Sequence, residues 1–125
     1  MNIPANLKYA TSDEWIDPAG GTVGITDYAQ HELGDVVDLE LTVKPGDKVK
    51  QGQAIANIDS VKASSPINAP VDGEILAVNK AIHDNCATIN ESPFDKAWMF
   101  KFKIANPAQL NGLLDAAAYA KKIAK

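Results

Sequence analysis

The sequence predicts a mainly β fold, a small flattened barrel or sandwich of two pseudo-symmetric halves with short helices at its margins and a helix at the C-terminus. Three observations carry this. Apolar residues recur with the two-residue period of half-buried strands, as in Val37-Asp38-Leu39-Glu40-Leu41, and Trp98, Phe100, Phe102 and Ile104 alternate with Met99, Lys101 and Lys103. Turn signals interrupt these runs at close intervals, notably Asp17-Pro18-Ala19-Gly20-Gly21, Lys44-Pro45-Gly46-Asp47 and Asp72-Gly73. Finally, Gly34-Asp35-Val36-Val37-Asp38-Leu39 is echoed by Gly73-Glu74-Ile75-Leu76-Ala77-Val78, each a glycine, an acid and then an apolar strand, so the chain reads as two similar halves.

In chain order, Glu14–Ile16 and Thr22–Ile25 make a hairpin across the first turn. Thr26 is placed to cap a helix over Asp27–Leu33, with Asp27 at its positive end and Gly34 as a left-handed stop. So short a helix does not stand alone, and Tyr28, Ala29 and Leu33 are expected to pack on a sheet. Residues 37–41 form a half-buried strand. Lys48-Val49-Lys50 is a short, turn-bounded piece, and the next strand, beginning at Gln53, runs to Lys62. Residues 63–68 are strand-like but contain Pro66, which cannot donate to a ladder and so marks an edge or a bulge. Gly73–Val78 is a further strand, 81–85 a helical turn and 90–93 a loop. Asn106-Pro107 opens the C-terminal helix, with Leu110, Leu113, Leu114 and Tyr119 on its apolar side and Gly112 as a break. Lys121, Lys122 and Lys125 suit its negative end.

A chain of 125 residues is read as one domain, long enough to bury a core. Sixteen acidic against twelve basic side chains leave a net charge of −4, and every basic side chain is lysine. Nucleic-acid binders present a basic face with arginine forks, so that class is excluded, while an acidic surface suits steering toward basic patches on protein partners. No apolar run approaches membrane-spanning length, and Met1-Asn2-Ile3-Pro4-Ala5-Asn6 lacks the regions of a signal peptide. The lone Cys86 asks for no oxidising compartment, and a cytoplasmic address is expected.

Catalytic chemistry has little to stand on. His31 and His83 are far apart in sequence, and His83 with Cys86 supplies too few ligands for a structural zinc site. The glycines match neither a phosphate loop nor a dinucleotide fingerprint, and no local nucleophile motif appears. What remains is Asp59-Ser60-Val61-Lys62-Ala63, where a lysine lies between the two echoed halves at a turn between strands. Its neighbours Ser60, Ala63, Ser64 and Ser65 are small enough to let another enzyme's active site approach. Most lysines are solvated surface charges, but this placement fits one that carries a covalent group.

The chain resembles the H-proteins of the glycine cleavage system, lipoyl carriers of the lipoyl/biotinyl hammerhead class. The matching residues are Lys8-Tyr9, Glu14-Trp15, Gly24-Ile25-Thr26-Asp27-Tyr28-Ala29-Gln30, Leu33-Gly34-Asp35-Val36-Val37, Ser60-Val61-Lys62-Ala63, Ala69-Pro70-Val71-Asp72-Gly73-Glu74, Ile89-Asn90-Glu91-Ser92-Pro93, Trp98, Leu113-Leu114-Asp115-Ala116 and Tyr119. The resemblance implies a flattened barrel-sandwich hybrid with its hammerhead core at about 20–104 and a C-terminal helical segment at about 106–124. It also implies lipoic acid in amide linkage to Lys62, with Asp59, Ser60, Val61 and Ala63 forming the turn recognised for attachment. The protein itself would then need no catalytic residue, because the strained dithiolane is the reactive group. Implied partners are a pyridoxal-phosphate glycine decarboxylase (P-protein), an aminomethyltransferase (T-protein), dihydrolipoamide dehydrogenase (L-protein), and a lipoate ligase or lipoyl transferase that installs the arm. A carrier that docks several enzymes through one turn is best kept monomeric. Ser12 and Glu14 match positions near the cleft that shelters the loaded arm.

Three departures bear on function. Asp59 stands where the family usually has Glu, Pro66 where it usually has an acidic residue, and Asp13 where a histidine is common before the Glu14-Trp15 pair. Loss of a carboxylate at Pro66 weakens the expected hold on a cationic cargo. An H-protein-like carrier serving another pathway, such as sulfur oxidation or lipoyl relay, therefore stands beside the glycine-cleavage reading. A biotinyl carrier is disfavoured because Val61 and Ala63, rather than methionines, flank the lysine. An unmodified binding module with an exposed lysine completes the set.

Overall fold

The computed structural model describes residues 2–124. Among these residues nine strands form two antiparallel sheets. β1 (Lys8–Tyr9), β2 (Glu14–Ile16), β3 (Thr22–Ile25), β9 (Phe100–Ile104), β8 (Gly73–Val78) and β5 (Lys48–Val49) make one sheet in that order. β4 (Val36–Leu41), β6 (Ala54–Ser60) and β7 (Ser64–Asn68) make the other. The main core contains Val23, Ile25, Val36, Leu39, Ile55, Ile58, Ile67, Ile75, Phe100 and Phe102, drawn from both sheets. The result is the mainly β sandwich expected, with short peripheral helices.

The echo between the halves extends to an irregularity. In β4 the register against β6 shifts between Val36 and Asp38, and in β8 the register against β9 shifts between Ile75 and Ala77. Both bulges fall at the same step of the repeated pattern, so Val36 and Ile75 are buried while Val37 and Leu76 are 59% and 53% exposed. A bulge displaces the residue that it inserts. This corrects the reading of residues 37–41 as a simple alternation, in which Val37 would share the buried face of Leu39.

A second apolar cluster, Leu7, Tyr9, Trp15 and Tyr119, covers the other face of the larger sheet, because Trp15 and Ile16 are successive strand residues and point to opposite faces. Trp15 lies so close over Gly24 that a Cβ there would stand 2.8 Å from its ring. Its indole N–H donates to the Pro93 carbonyl at 3.0 Å, and Tyr9 stacks on Tyr119 at 4.7 Å. β2 is thus buried on both sides, which proves decisive for Glu14.

Helix α1 (Asp27–Leu33) has the expected bounds, and the Ala29 N–H donates to Thr26 Oγ1 as a cap. Ala29 and Leu33 pack on the main core and Tyr28 on the second cluster. The Thr26 and Tyr119 hydroxyls are 2.7 Å apart, so Thr26 joins α1 to the C-terminal segment as well. Thr26→Ala is expected to cost about 2 kcal/mol, the cap and the buried bond together, seen as a lowered midpoint in denaturant unfolding.

Several boundaries differ from the sequence reading. β6 ends at Ser60, leaving Val61 and Lys62 in the turn. α2 (Lys80–Asp84) begins one residue earlier than read, and Asn90 and Glu91 belong to a short helix α3 (Thr88–Glu91) instead of a loop. β9 starts at Phe100. Trp98 therefore joins the second cluster while Met99, read as surface, is buried in the main core. The C-terminal segment is not one helix from Asn106. A 3-10 turn over Pro107–Gly112 precedes α4 (Ala116–Ile123), whose cap is Asp115, accepting from the Ala118 N–H at 2.8 Å. Lys121 and Lys122 occupy its last turn, and Lys125 lies outside the described residues, as does Met1. Pro66 sits in β7, an edge strand of the smaller sheet, as its missing donor requires.

Candidate functional site

Lys62 occupies the tip of the β6–β7 connection and is exposed. The turn is built on Ser60. Its N–H donates to the Ala63 carbonyl at 2.8 Å, and its hydroxyl donates to the same carbonyl at 3.1 Å. That hydroxyl also accepts from the Lys62 and Ala63 N–H groups at 3.2 and 3.1 Å. Asp59 accepts from the Ser64 hydroxyl across the base of the turn at 2.5 Å. Val61, 65% exposed, donates its N–H to the Asp35 carbonyl at 3.0 Å, tying the turn to the segment that enters β4. The predicted turn residues therefore come together as one rigid unit with the lysine amine free to move. Among the described residues Lys62 makes no ion pair.

Its stem rests on Gly34, where a Cβ would meet Lys62 Cε at 3.4 Å and Val61 Cγ2 at 3.5 Å. Gly34 ends α1 with φ 74° and ψ −153°, an extended positive-φ conformation open almost only to glycine, in place of the left-handed helical stop expected. Gly34→Ala is expected to cost about 1–3 kcal/mol by that strain. Chemical-shift changes should centre on Val61 and Lys62, a pattern readable by amide NMR.

A groove of about 340 Å³ begins beside this turn. One wall is α1, through Tyr28, Ala29, Glu32 and Leu33. The other is β7, through Ser65, Pro66 and Ile67, and Ser12, Asp13 and Ile25 complete it. Leu33 precedes Gly34, and Ser65 follows Lys62 by three residues, so both walls start at the lysine. Asn68, whose N–H donates to Glu14 Oε2 at 3.2 Å, lies about 13 Å along β7 from Ser64 at ~3.3 Å per residue. The Ser12 hydroxyl donates to Glu14 Oε1 at 2.5 Å, so the two residues that the resemblance placed near the cleft are bonded to each other.

Glu14 is 1% exposed, with Trp15's cluster on one side of its strand and the main core on the other. Burial pushes its carboxyl up to about 7, against the opposing effect of the bonds from Ser12 and Asn68. Both bonds are donated to the carboxyl, so the site is wired for the ionised form yet half-protonated near neutrality. Asp13, with φ 74°, accepts from the Tyr119 hydroxyl at 2.9 Å and lies 3.5 Å from Lys122 Nζ. Burial holds the Tyr119 phenol well above the ordinary tyrosine value, so it stays a donor. No local pattern signals this link between the groove and α4, because Asp13 and Tyr119 are 106 residues apart.

The residues present suit a long acyl arm. A primary amine without an ion-pair partner among the described residues stands at a turn of small side chains. The groove beside it has apolar sides in Ala29, Leu33, Pro66 and Ile67, with Glu32 on the α1 wall and the Ser12 hydroxyl and Asp13 carboxyl completing it. Pro66 lines this groove, and no carboxylate comes from that position. His83 and Cys86 take no part in it, since His83 Nδ1 lies 2.6 Å from the Leu39 carbonyl and Cys86 points its thiol to the Val36 carbonyl. Among the described residues no group of three or more His, Cys, Asp or Glu side chains could hold a metal ion, and no helix is long and apolar enough to cross a membrane.

Residues 7–125 match the family model described as glycine cleavage H-protein. A glycine cleavage system H protein of Marinomonas sp. (strain MWYL1) is 51% identical over 98% of this chain and 98% of its own length. A mitochondrial glycine cleavage system H protein of Oryza sativa subsp. indica is 47% identical over 92% of this chain and 71% of its own. The crystal structure of a glycine cleavage system H protein from Mycobacterium marinum superposes with a TM-score of 0.86. It is 33% identical and covers 96% of this chain and 98% of that one.

Proposed function

Because this chain belongs to the glycine cleavage H-protein family, we propose that Lys62 is the residue that bears its lipoyl arm and that the adjoining groove shelters the arm's cargo. The family are non-catalytic lipoyl carriers of the glycine cleavage system, and this chain is one, shuttling the aminomethyl group derived from glycine. The relatives compared above are all named as glycine cleavage proteins, which favours that pathway over another lipoate-dependent one. The observation that carries the site reading is the exposed, unpaired Lys62 at a turn locked by Ser60, with a groove starting at its base.

When bound, the lipoyl group supplies a dithiolane whose sulfur accepts the aminomethyl cargo. The chain's own residues do the rest. Asp59, Ser60, Val61 and Ala63 present the amine to a lipoate ligase or transferase, and amide formation removes the lysine's charge. Ala29, Leu33 and Pro66 exclude water along the groove. Ser12 and Glu14 receive the cationic end of the cargo, and Glu14, already bonded by two donors, completes its ionisation as the cation arrives. A rigid turn with a mobile arm keeps the cargo at high effective concentration for the decarboxylase, the aminomethyltransferase and the dihydrolipoamide dehydrogenase in succession. In the same reading the chain is one carrier domain, monomeric and cytoplasmic.

Glycine–bicarbonate exchange reconstituted from glycine decarboxylase and the lipoylated chain tests this. Exchange dependent on the lipoylated form is expected. Absence of exchange with a decarboxylase that works on another H-protein would refute the reading.

A further inference from the structure

Asn90 does not line the groove, yet its side chain is satisfied at every polar position by groups remote in sequence. Its amide NH₂ donates to the Gly34 carbonyl at 2.8 Å and to Gln30 Oε1 at 3.0 Å, and its carbonyl oxygen accepts from the Val36 N–H at 2.9 Å. Gly34 and Val36 flank Asp35, whose carbonyl receives the Val61 N–H of the lysine turn. Gly34 also carries the Lys62 stem, and Gln30 belongs to α1, the groove's wall. We propose that Asn90 is a positioning residue that fixes the Lys62 turn relative to the groove, by gripping residues 34 and 36 on either side of the carbonyl that anchors Val61.

The physical case is that the anchor has no rigidity of its own. Gly34 has no side chain, Asp35 is exposed, and β4 is bulged immediately after Val36. A free Gly34-Asp35-Val36 segment would carry the Asp35 carbonyl with it, and the turn and the end of α1 would then move independently. Asparagine alone meets this demand at one point, with two donors and an acceptor on one short planar group. α3 supplies the fixed base, since the adjoining Ile89 is buried in the main core. Aspartate in this place would keep the acceptor and lose both donors.

The functional half of this inference rests on Lys62 as the arm's site, and the structural half does not, so two measurements separate them. Amide hydrogen exchange at Val61 is compared in wild type, Asn90→Ala, Asn90→Asp and Val49→Ala, the last a core truncation at β5 in the far edge of the larger sheet. Asn90→Ala should speed exchange at Val61 about tenfold, with Asn90→Asp intermediate and Val49→Ala affecting Val61 only through global stability. In the lipoylated, aminomethyl-loaded forms, loss of cargo to water should quicken in the same order. Exchange at Val61 that matches wild type in Asn90→Ala, or that rises equally in Val49→Ala, overturns the clamp. Faster exchange with an unchanged rate of cargo loss overturns the positioning role. A wild-type chain that takes no arm would instead refute the reading of Lys62, with the exchange data still judging the clamp.

Discussion

Lys62→Arg is expected to fold with an unchanged melting temperature, accept no lipoyl group and support no glycine–bicarbonate exchange. The fold should not notice, because the turn is held by the Ser60 hydroxyl, the backbone and the Val61–Asp35 bond, none of which uses the lysine amine. Exposed substitutions of this kind fall within about 0.5 kcal/mol. Arginine keeps the charge and most of the stem but never frees a nucleophilic nitrogen, since its guanidinium stays protonated. Any loss is therefore chemical. Normal unfolding in thermal denaturation together with a lipoyl-free mass confirms the expectation, and a lipoyl group persisting in the variant contradicts the site.

The second large effect concerns Glu14. Its carboxyl ionises at about 7 in the folded chain against 4.5 when free, which at ~1.4 kcal/mol per pH unit corresponds to about 3 kcal/mol. A raised folded value means that the unfolded chain releases the proton first. The contribution to stability is thus fully present below pH 4.5 and is lost as pH rises through about 7. Glu14→Gln removes this loss, since the amide can accept from the Asn68 N–H and donate to Ser12. The variant should be more stable than wild type above pH 7, with the difference vanishing toward pH 4.5, in denaturant titrations across that range. Function should move the other way. A cationic cargo needs the carboxylate, so its retention by wild type should strengthen as pH rises through about 7, whereas Glu14→Gln should hold it weakly at every pH. Equal rates of cargo loss for the two proteins at pH 8 would remove Glu14 from the cargo site.

Much of the site was legible because its determinants are local. The α1 bounds follow from a threonine cap and a glycine stop. The lysine turn follows from small residues between two strands, and the edge position of β7 follows from Pro66 alone. The mainly β class survived every boundary error for the same reason. What stayed hidden depends on the second apolar cluster and on the bulges. Met99 and Trp98 exchange faces because β9 begins only at Phe100, and Val37 turns outward because β4 gains a residue against β6. Glu14 was visible as a residue beside Ser12, but its raised ionisation required knowing that β2 is buried on both faces. Asn90 appeared in a recognisable motif as a loop residue, and its three bonds run to partners more than fifty positions away.

The departures at Asp59 and Pro66 now have places. Asp59 is shorter by a methylene than the usual Glu, yet it reaches the Ser64 hydroxyl and closes the base of the turn. Pro66 leaves one groove wall without a carboxylate, while Glu32 stands on the α1 wall and Ser12 and Asp13 line the groove, with the Ser12 hydroxyl bonded to the buried Glu14 behind it. The central claim, that Lys62 carries the arm, is tested most directly by peptide mass spectrometry of the wild-type chain after incubation with lipoate, ATP and a lipoate ligase. A single lipoyl group on the peptide containing Lys62 is the expected result. A lipoyl group on any other lysine, or a Lys62 peptide left unmodified under conditions that lipoylate another H-protein, would contradict it.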